Sequence, residues 1–112
     1  MPVLKVQTNS EIADKKKFME DATALLSRVL GKPSQYIMVI VEPNADMMFA
    51  GSSEPLAYLE LKSIGLPENQ TPGISAELCR FIESEIDVPQ NRIYIEFANA
   101  QRDMFGWNGG TF

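Results

Sequence analysis

The chain has 112 residues, 45% hydrophobic and 22% charged, with a formal net charge of −5 and no histidine. That length suits one domain with a real core, and the acidic balance excludes a sequence-independent grip on nucleic acid, which requires basic surface. Lack of histidine removes the commonest general base and the commonest metal ligand, while the single cysteine, Cys79, excludes an intrachain disulfide.

Pro2 stands directly behind Met1. Trimming of the initiator, usual before a small residue, would leave Pro2 a free secondary amine that can take and return a proton. An α-amino group titrates near ~7.7–8.0, and burial lowers that value toward the range where a general base works best. The structural counter-reading is that Pro2 merely opens an edge strand, where a missing N–H is harmless.

Pro2–Val6 reads as a short strand ended by the polar stretch Gln7–Ser10. Phe18, Ala22, Leu25, Leu26 and Val29 then fall on one helical face from Asp14 to Leu30, with Asp14 as cap and Gly31 and Pro33 as stop. Tyr36–Val41 is a continuous, β-branched apolar run, so Ile37–Val41 reads as a strand buried on both faces. Met47–Phe49 is a candidate short strand within the Gly- and Pro-punctuated stretch that follows.

The order then repeats. Pro55–Lys62 alternates Leu59 and Leu61 against Tyr58, Glu60 and Lys62, as a half-buried strand does. Thr71-Pro72 starts a helix, whose stripe of Ile74, Leu78, Phe81, Ile82 and Ile86 runs to Val88 and Pro89, with Cys79 a small core residue. Arg92–Phe97 closes as a strand, and the tail Met104–Phe112 is rich in aromatics and glycine.

Pro33-Ser34-Gln35-Tyr36-Ile37 aligns with Pro89-Gln90-Asn91-Arg92-Ile93, and Pro2-Val3-Leu4-Lys5-Val6 with Pro55-Leu56-Ala57-Tyr58-Leu59. One domain over residues 1–112, with pseudo-repeats at 2–43 and 55–98, therefore reads as two βαβ units. The expected fold is α+β: a four-stranded mixed sheet with both helices on one face. Its open face would leave a broad apolar surface, which single domains rarely expose, so self-association is expected. No apolar run approaches the ~20 residues of a membrane span. The N-terminus also lacks the basic-then-apolar order of a secretory signal. A cytoplasmic protein without membrane partners is expected, and any secretion would be non-classical.

Several motifs in order resemble the macrophage migration inhibitory factor family of the tautomerase superfamily across essentially the full length. They are Pro2, Gly31-Lys32-Pro33-Ser34-Gln35-Tyr36-Ile37, Phe49-Ala50-Gly51-Ser52-Ser53-Glu54-Pro55, Ser63-Ile64-Gly65, Arg92-Ile93-Tyr94-Ile95, and Gly106-Trp107-Asn108 through Thr111-Phe112. The resemblance implies a homotrimer with active sites at subunit interfaces and a cofactor-free keto–enol tautomerase acting on small aromatic α-keto acids such as phenylpyruvate, or on dopachrome-type compounds. It implies Pro2 as the base, with Lys32 and the Ile64 backbone beside it. Tyr94 would arrive from a neighbouring subunit, and Trp107, Phe112 and Phe105 would line the pocket. Glu96 stands where the family often has asparagine at the rim, adding a negative charge near an anionic substrate. The counter-reading pairs Glu96 with Arg92 on the same strand face. A further guanidinium, from Arg92 or Arg102, would suit hydration or dehalogenation instead.

Two other departures bear on function. Leu56-Ala57-Tyr58-Leu59 replaces the CxxC of animal members, so thiol–disulfide activity is not implied. Glu11 and Asn44 replace a receptor-contact Arg and Asp, which weakens a cytokine role. The rival to an enzyme is a binding protein, a cytokine mimic with a vestigial site.

Overall fold

The computed structural model describes residues Met1–Phe112. In chain order it holds β1 (Val3–Thr8), α1 (Lys15–Leu30), β2 (Met38–Glu42), β3 (Ala57–Ile64), α2 (Thr71–Ile86), β4 (Ile93–Ala100), β5 (Gly106–Trp107) and β6 (Gly110–Thr111). Strands β2-β1-β3-β4 form one sheet. Strand β1 runs parallel to β2 and antiparallel to β3, which in turn runs parallel to β4. Two βαβ units thus lie side by side, joined through β1 and β3.

Both helices begin and end where their chemistry dictates. The Asp14 carboxylate accepts the Lys17 N–H at 3.0 Å, satisfying one of the first-turn donors. Helix α1 stops at Gly31 in the left-handed region, φ 65°. Helix α2 has Pro72 in its first turn, where no N–H is needed. It ends at Asp87, which accepts the same left-handed turn at φ 57° without a glycine.

Alternation decides which side of the sheet is dry. Leu4, Val6, Leu59, Leu61 and Ile93 point under the helices and meet Phe18, Ala22 and Leu26 of α1 and Ile74, Leu78 and Ile82 of α2 in one core. Phe18 and Phe81 bring the two helices together with ring centroids 5.2 Å apart. The opposite face carries Lys5, Tyr58, Glu60, Lys62, Tyr94 and Glu96. No helix is long and apolar enough to cross a membrane.

Several details differ from the sequence reading. Strand β1 runs on through Gln7 to Thr8, past the expected end at Val6, and β4 starts at Ile93, after a 3₁₀ turn that takes in Arg92, and continues past Phe97 to Ala100. Strand β2 starts at Met38 because Ser34–Tyr36 form a 3₁₀ turn. It is an edge strand, not a doubly covered one: Met38 is 58% and Ile40 39% exposed, while Val39 and Val41 pack on the core. Met47–Phe49 is no strand, since only Phe49 bridges, to Ser52, around Ala50 and Gly51 at positive φ. The tail forms the β5–β6 hairpin, turned by Asn108 (φ 51°) and Gly109 (φ 79°). That Asn-Gly pair is a recognised hairpin signal.

Candidate active site

The end of α1, the end of β3 and the C-terminal hairpin converge on one cavity of about 330 Å³. It is lined by Met1, Lys32, Tyr36, Ile64, Arg102, Trp107 and Phe112. Its size falls within the range of small-molecule sites, and its mixture of aromatic walls and a few charged groups is their usual make-up. A depression of about 420 Å³ beside α2, lined by Val29, Asn69, Gln70, Gly73, Ile74 and Glu77, has neither aromatic walls nor a cation.

The backbone aims Lys32 into the cavity. After the left-handed turn at Gly31, the Lys32 carbonyl is anchored by the Ser27 hydroxyl, which donates to it at 2.7 Å. The Lys32 Nζ then reaches across to the Ile64 carbonyl at 3.4 Å. Ile64 is the last residue of β3, and Gly65 turns the chain away at φ 67°. The opposite wall is aromatic. Trp107 stacks on Phe112 at 5.5 Å and 17°, and Tyr36 meets the Trp107 edge at 5.8 Å. Phe112 is tied by its N–H to the Phe105 carbonyl at 3.1 Å, and the Arg102 Nη1 donates to the Phe112 main-chain oxygen at 3.4 Å.

The amine at the mouth is that of Met1, so Pro2 nitrogen here is an amide. Pro2 is fully buried and does not itself line the cavity, and its carbonyl accepts the Met38 N–H at 3.0 Å. The Met1 ammonium is held below the ordinary α-amine range, first by burial and then by the positive charges of Lys32 and Arg102. These surroundings favour the neutral form of the amine.

Of the residues singled out from sequence, Lys32, Ile64, Trp107 and Phe112 meet in this cavity. Phe105 packs edge-on against Phe112 at 5.9 Å, but faces a second hollow beside Val3, Lys5 and Ile40 on the open sheet face. Tyr94 and Glu96 lie elsewhere within the same chain. Tyr94 packs on Phe49 at 4.9 Å and is 64% exposed. Glu96 stands opposite Glu60 in the β3–β4 register. Burial, then the charges of Glu96 and Glu60, push the Tyr58 hydroxyl above its usual pKa.

Arg92 does not pair with Glu96. Its guanidinium donates to the carbonyls of Pro55, Phe49, Ser52 and Glu54 at 2.9–3.2 Å, which holds the loop before β3. Arg102 is the guanidinium that reaches the cavity. Tyr36 and Met1 also escaped the sequence reading as lining residues. Tyr36 had a signal, since a 3₁₀ turn after Pro33 takes it out of the strand and toward the tail.

The family model described as macrophage migration inhibitory factor (MIF) matches residues 1–112. The chain is 34% identical over 114 residues to a macrophage migration inhibitory factor homologue of Trichinella spiralis, covering 100% of both. To the macrophage migration inhibitory factor of Rattus norvegicus it is 36% identical, covering 100% of this chain and 99% of that one. The crystal structure of a homologue from Prochlorococcus marinus superposes with a TM-score of 0.94 at 35% identity, over 98% of each chain.

Proposed function

The chain belongs to the macrophage migration inhibitory factor family, and from that premise we propose that it is a cofactor-independent keto–enol tautomerase of small aromatic α-keto acids, phenylpyruvate among them. The observation that carries this reading is the cavity itself, where a depressed terminal amine, a lysine and an aromatic wall converge. Once Met1 is removed, the secondary amine of Pro2 takes the place of the Met1 amine, among the same charges. In its neutral form it removes a proton from the carbon next to the carbonyl. The electron pair moves to the carbonyl oxygen, and the ammonium returns the proton there. Lys32 holds the substrate carboxylate as a point charge, and Trp107 and Phe112 flank the aryl group.

The working unit in this reading is a homotrimer. Met38, Ile40 and Tyr94 stand exposed around a sheet face that no helix covers, a surface of the kind that marks an interface. A neighbouring protomer would there supply Tyr94 and Glu96 to the Pro2 cavity. Neither residue lines that cavity in its own chain, which accords with their arriving from outside.

The test is a phenylpyruvate tautomerase assay on protein whose N-terminal mass is established, alongside light scattering. Turnover by the trimmed protein, absent from protein retaining Met1, is the expected result. A stable monomer at micromolar concentration would remove the shared site. A trimmed, trimeric protein inactive in this assay would leave the rival readings, a binding protein with a vestigial site or, with Arg102 lining the cavity, an enzyme of hydration or dehalogenation.

A further inference from the structure

The charge inside the cavity is the reverse of the charge on the chain. The protein carries a net −5, yet the cavity is lined by two cations, Lys32 and Arg102, and by no carboxylate side chain. Neither cation pairs with an Asp or Glu side chain of the chain. The ion pairs are Lys17–Asp21, Arg28–Glu77 and Arg80–Glu77, and they include neither residue. Lys32 spends one donor on the Ile64 carbonyl at 3.4 Å, and Arg102 spends one on the Phe112 main-chain oxygen, also at 3.4 Å. Both bonds are long, and a guanidinium has five N–H donors in a fork matched to a planar carboxylate.

The two cations reach the cavity from different elements. Lys32 comes from the turn after α1, beside the carbonyl of Ile64. Arg102 comes from the 3₁₀ turn Arg102–Met104 after β4, beside Phe112. Trp107 and Phe112 stack parallel, forming a flat aromatic wall of the same space. One carboxylate satisfies Lys32, and nothing in a simple aryl keto acid would meet Arg102, which is left to a second anion on the substrate or to the Glu96 that a neighbouring protomer would bring.

We propose that the preferred substrate is a keto acid with a second acidic group, its α-carboxylate held by Lys32 and the second by Arg102. This rests on the tautomerase reading for the reaction and on the cavity alone for the binding. The second anion lies toward the Phe112 end of the cavity. It contributes to affinity and to the choice of substrate, while Arg102 also acts on the terminal amine that shares the cavity. Arg102 is solvent-exposed, so its contribution falls at the lower end for a charged hydrogen bond and declines with salt.

Trp107 is the sole tryptophan and lines the cavity, so its fluorescence reads occupancy without turnover. The probes are phenylpyruvate and its para-carboxylated counterpart, titrated at low ionic strength into the trimmed protein, with tautomerisation followed in parallel. The dianion is expected to bind about tenfold more tightly, the ordinary worth of one exposed charge-assisted hydrogen bond. Arg102→Ala should abolish that preference, weakening the dianion far more than phenylpyruvate. Arg102→Lys should retain part of it, because charge survives and the fork does not. Equal binding of both probes by wild type, or an undiminished preference in Arg102→Ala, would overturn the proposal. Arg102-dependent binding of the dianion without turnover of either probe would support the anion site while overturning the tautomerase reading.

Discussion

The two βαβ units share a backbone and differ in what they do with it. Helix α1 leaves through a left-handed residue, Gly31, into Lys32-Pro33 and a 3₁₀ turn ending at Tyr36. Helix α2 leaves through left-handed Asp87 into Val88-Pro89 and a 3₁₀ turn ending at Arg92. Pro33 and Pro89 have ψ of 138° and 141°. At the matching positions, Lys32 opens into a cavity while Val88 is wholly buried. Tyr36 lines that cavity, whereas Arg92 spends its donors on four carbonyls and stacks over Phe49 at 5.2 Å. The second unit has a smaller hollow of about 180 Å³, walled by Met47, Met48 and Phe49 of its own loop and by Tyr58, Arg92 and Tyr94. One local fold therefore makes an open site or a structural clamp, and two side chains decide which.

The largest expected effect is at Pro2, which the second unit matches only with Pro55, a mid-chain amide. Pro2→Gly should lower tautomerase activity by on the order of 10²–10⁴-fold, the usual contribution of a positioned base. The oligomer should survive, since the start of a strand tolerates glycine. Activity within about threefold of wild type, measured on trimmed protein, would refute the base and erase the functional asymmetry between the units.

Arg92→Ala probes the clamp. Removing a guanidinium that serves four carbonyls should cost about 2 kcal/mol or more, seen as a fall in Tm on the order of 10 °C for a chain of this size. The phenylpyruvate KM should change far less. An unchanged Tm would show that the loop before β3 holds itself.

Lys32→Ala tests the open unit. Loss of the carboxylate partner should raise KM by about tenfold with a smaller change in kcat, because the charge acts on bound substrate and transition state alike. The same variant carries a pH signature. The neutral amine is the active form, so the rate should rise with pH through the amine pKa and level above it. Burial and the cations hold the Met1 amine below the ordinary range, and the Pro2 amine that replaces it should meet the same surroundings, so the acid limb should lie below that range too. Removing Lys32, the larger of the two charge effects after burial, should move the limb to higher pH. A limb that stays in place would detach Lys32 from the amine.

The smallest effect concerns Glu96, which the second unit would present to a neighbour's cavity. Glu96→Asn should lower KM for an anionic substrate several-fold at low salt, where an exposed charge is screened least. It should also bring the Tyr58 hydroxyl back toward its usual pKa. A corrected Tyr58 with an unmoved KM would confine Glu96 to its own sheet.

What could be read from sequence followed from periodicity and caps. Alternation in Tyr58–Lys62 and Arg92–Phe97 placed Leu59, Leu61 and Ile93 in the core, and Asp14, Gly31 and Pro72 bounded the helices. Strand β2 misled because Met38 and Ile40 are apolar on a face uncovered within one chain, so composition resembled that of a central strand. Lys32, Ile64, Trp107 and Phe112 were legible through motifs of the family. Arg102 was legible only as one of two unplaced candidates, because an exposed arginine in a tail has no pattern that says which way the tail folds. The Asn108-Gly109 turn supplies that direction, by folding Trp107 back over Phe112.

The register between β1 and β3, Val6 opposite Leu59, is the only ladder that ties the two units into one sheet. Each unit closes over short sequence distances, but this pair closes a loop of fifty-odd residues, the kind of non-local contact that slows folding. Hydrogen exchange should reflect it. The amides of β1 and β3 can be released only by opening the whole molecule, while those of β2 and β4 open at an edge. The slowest-exchanging protons therefore mark the seam between the units, and the fastest mark the edges where another chain can pair.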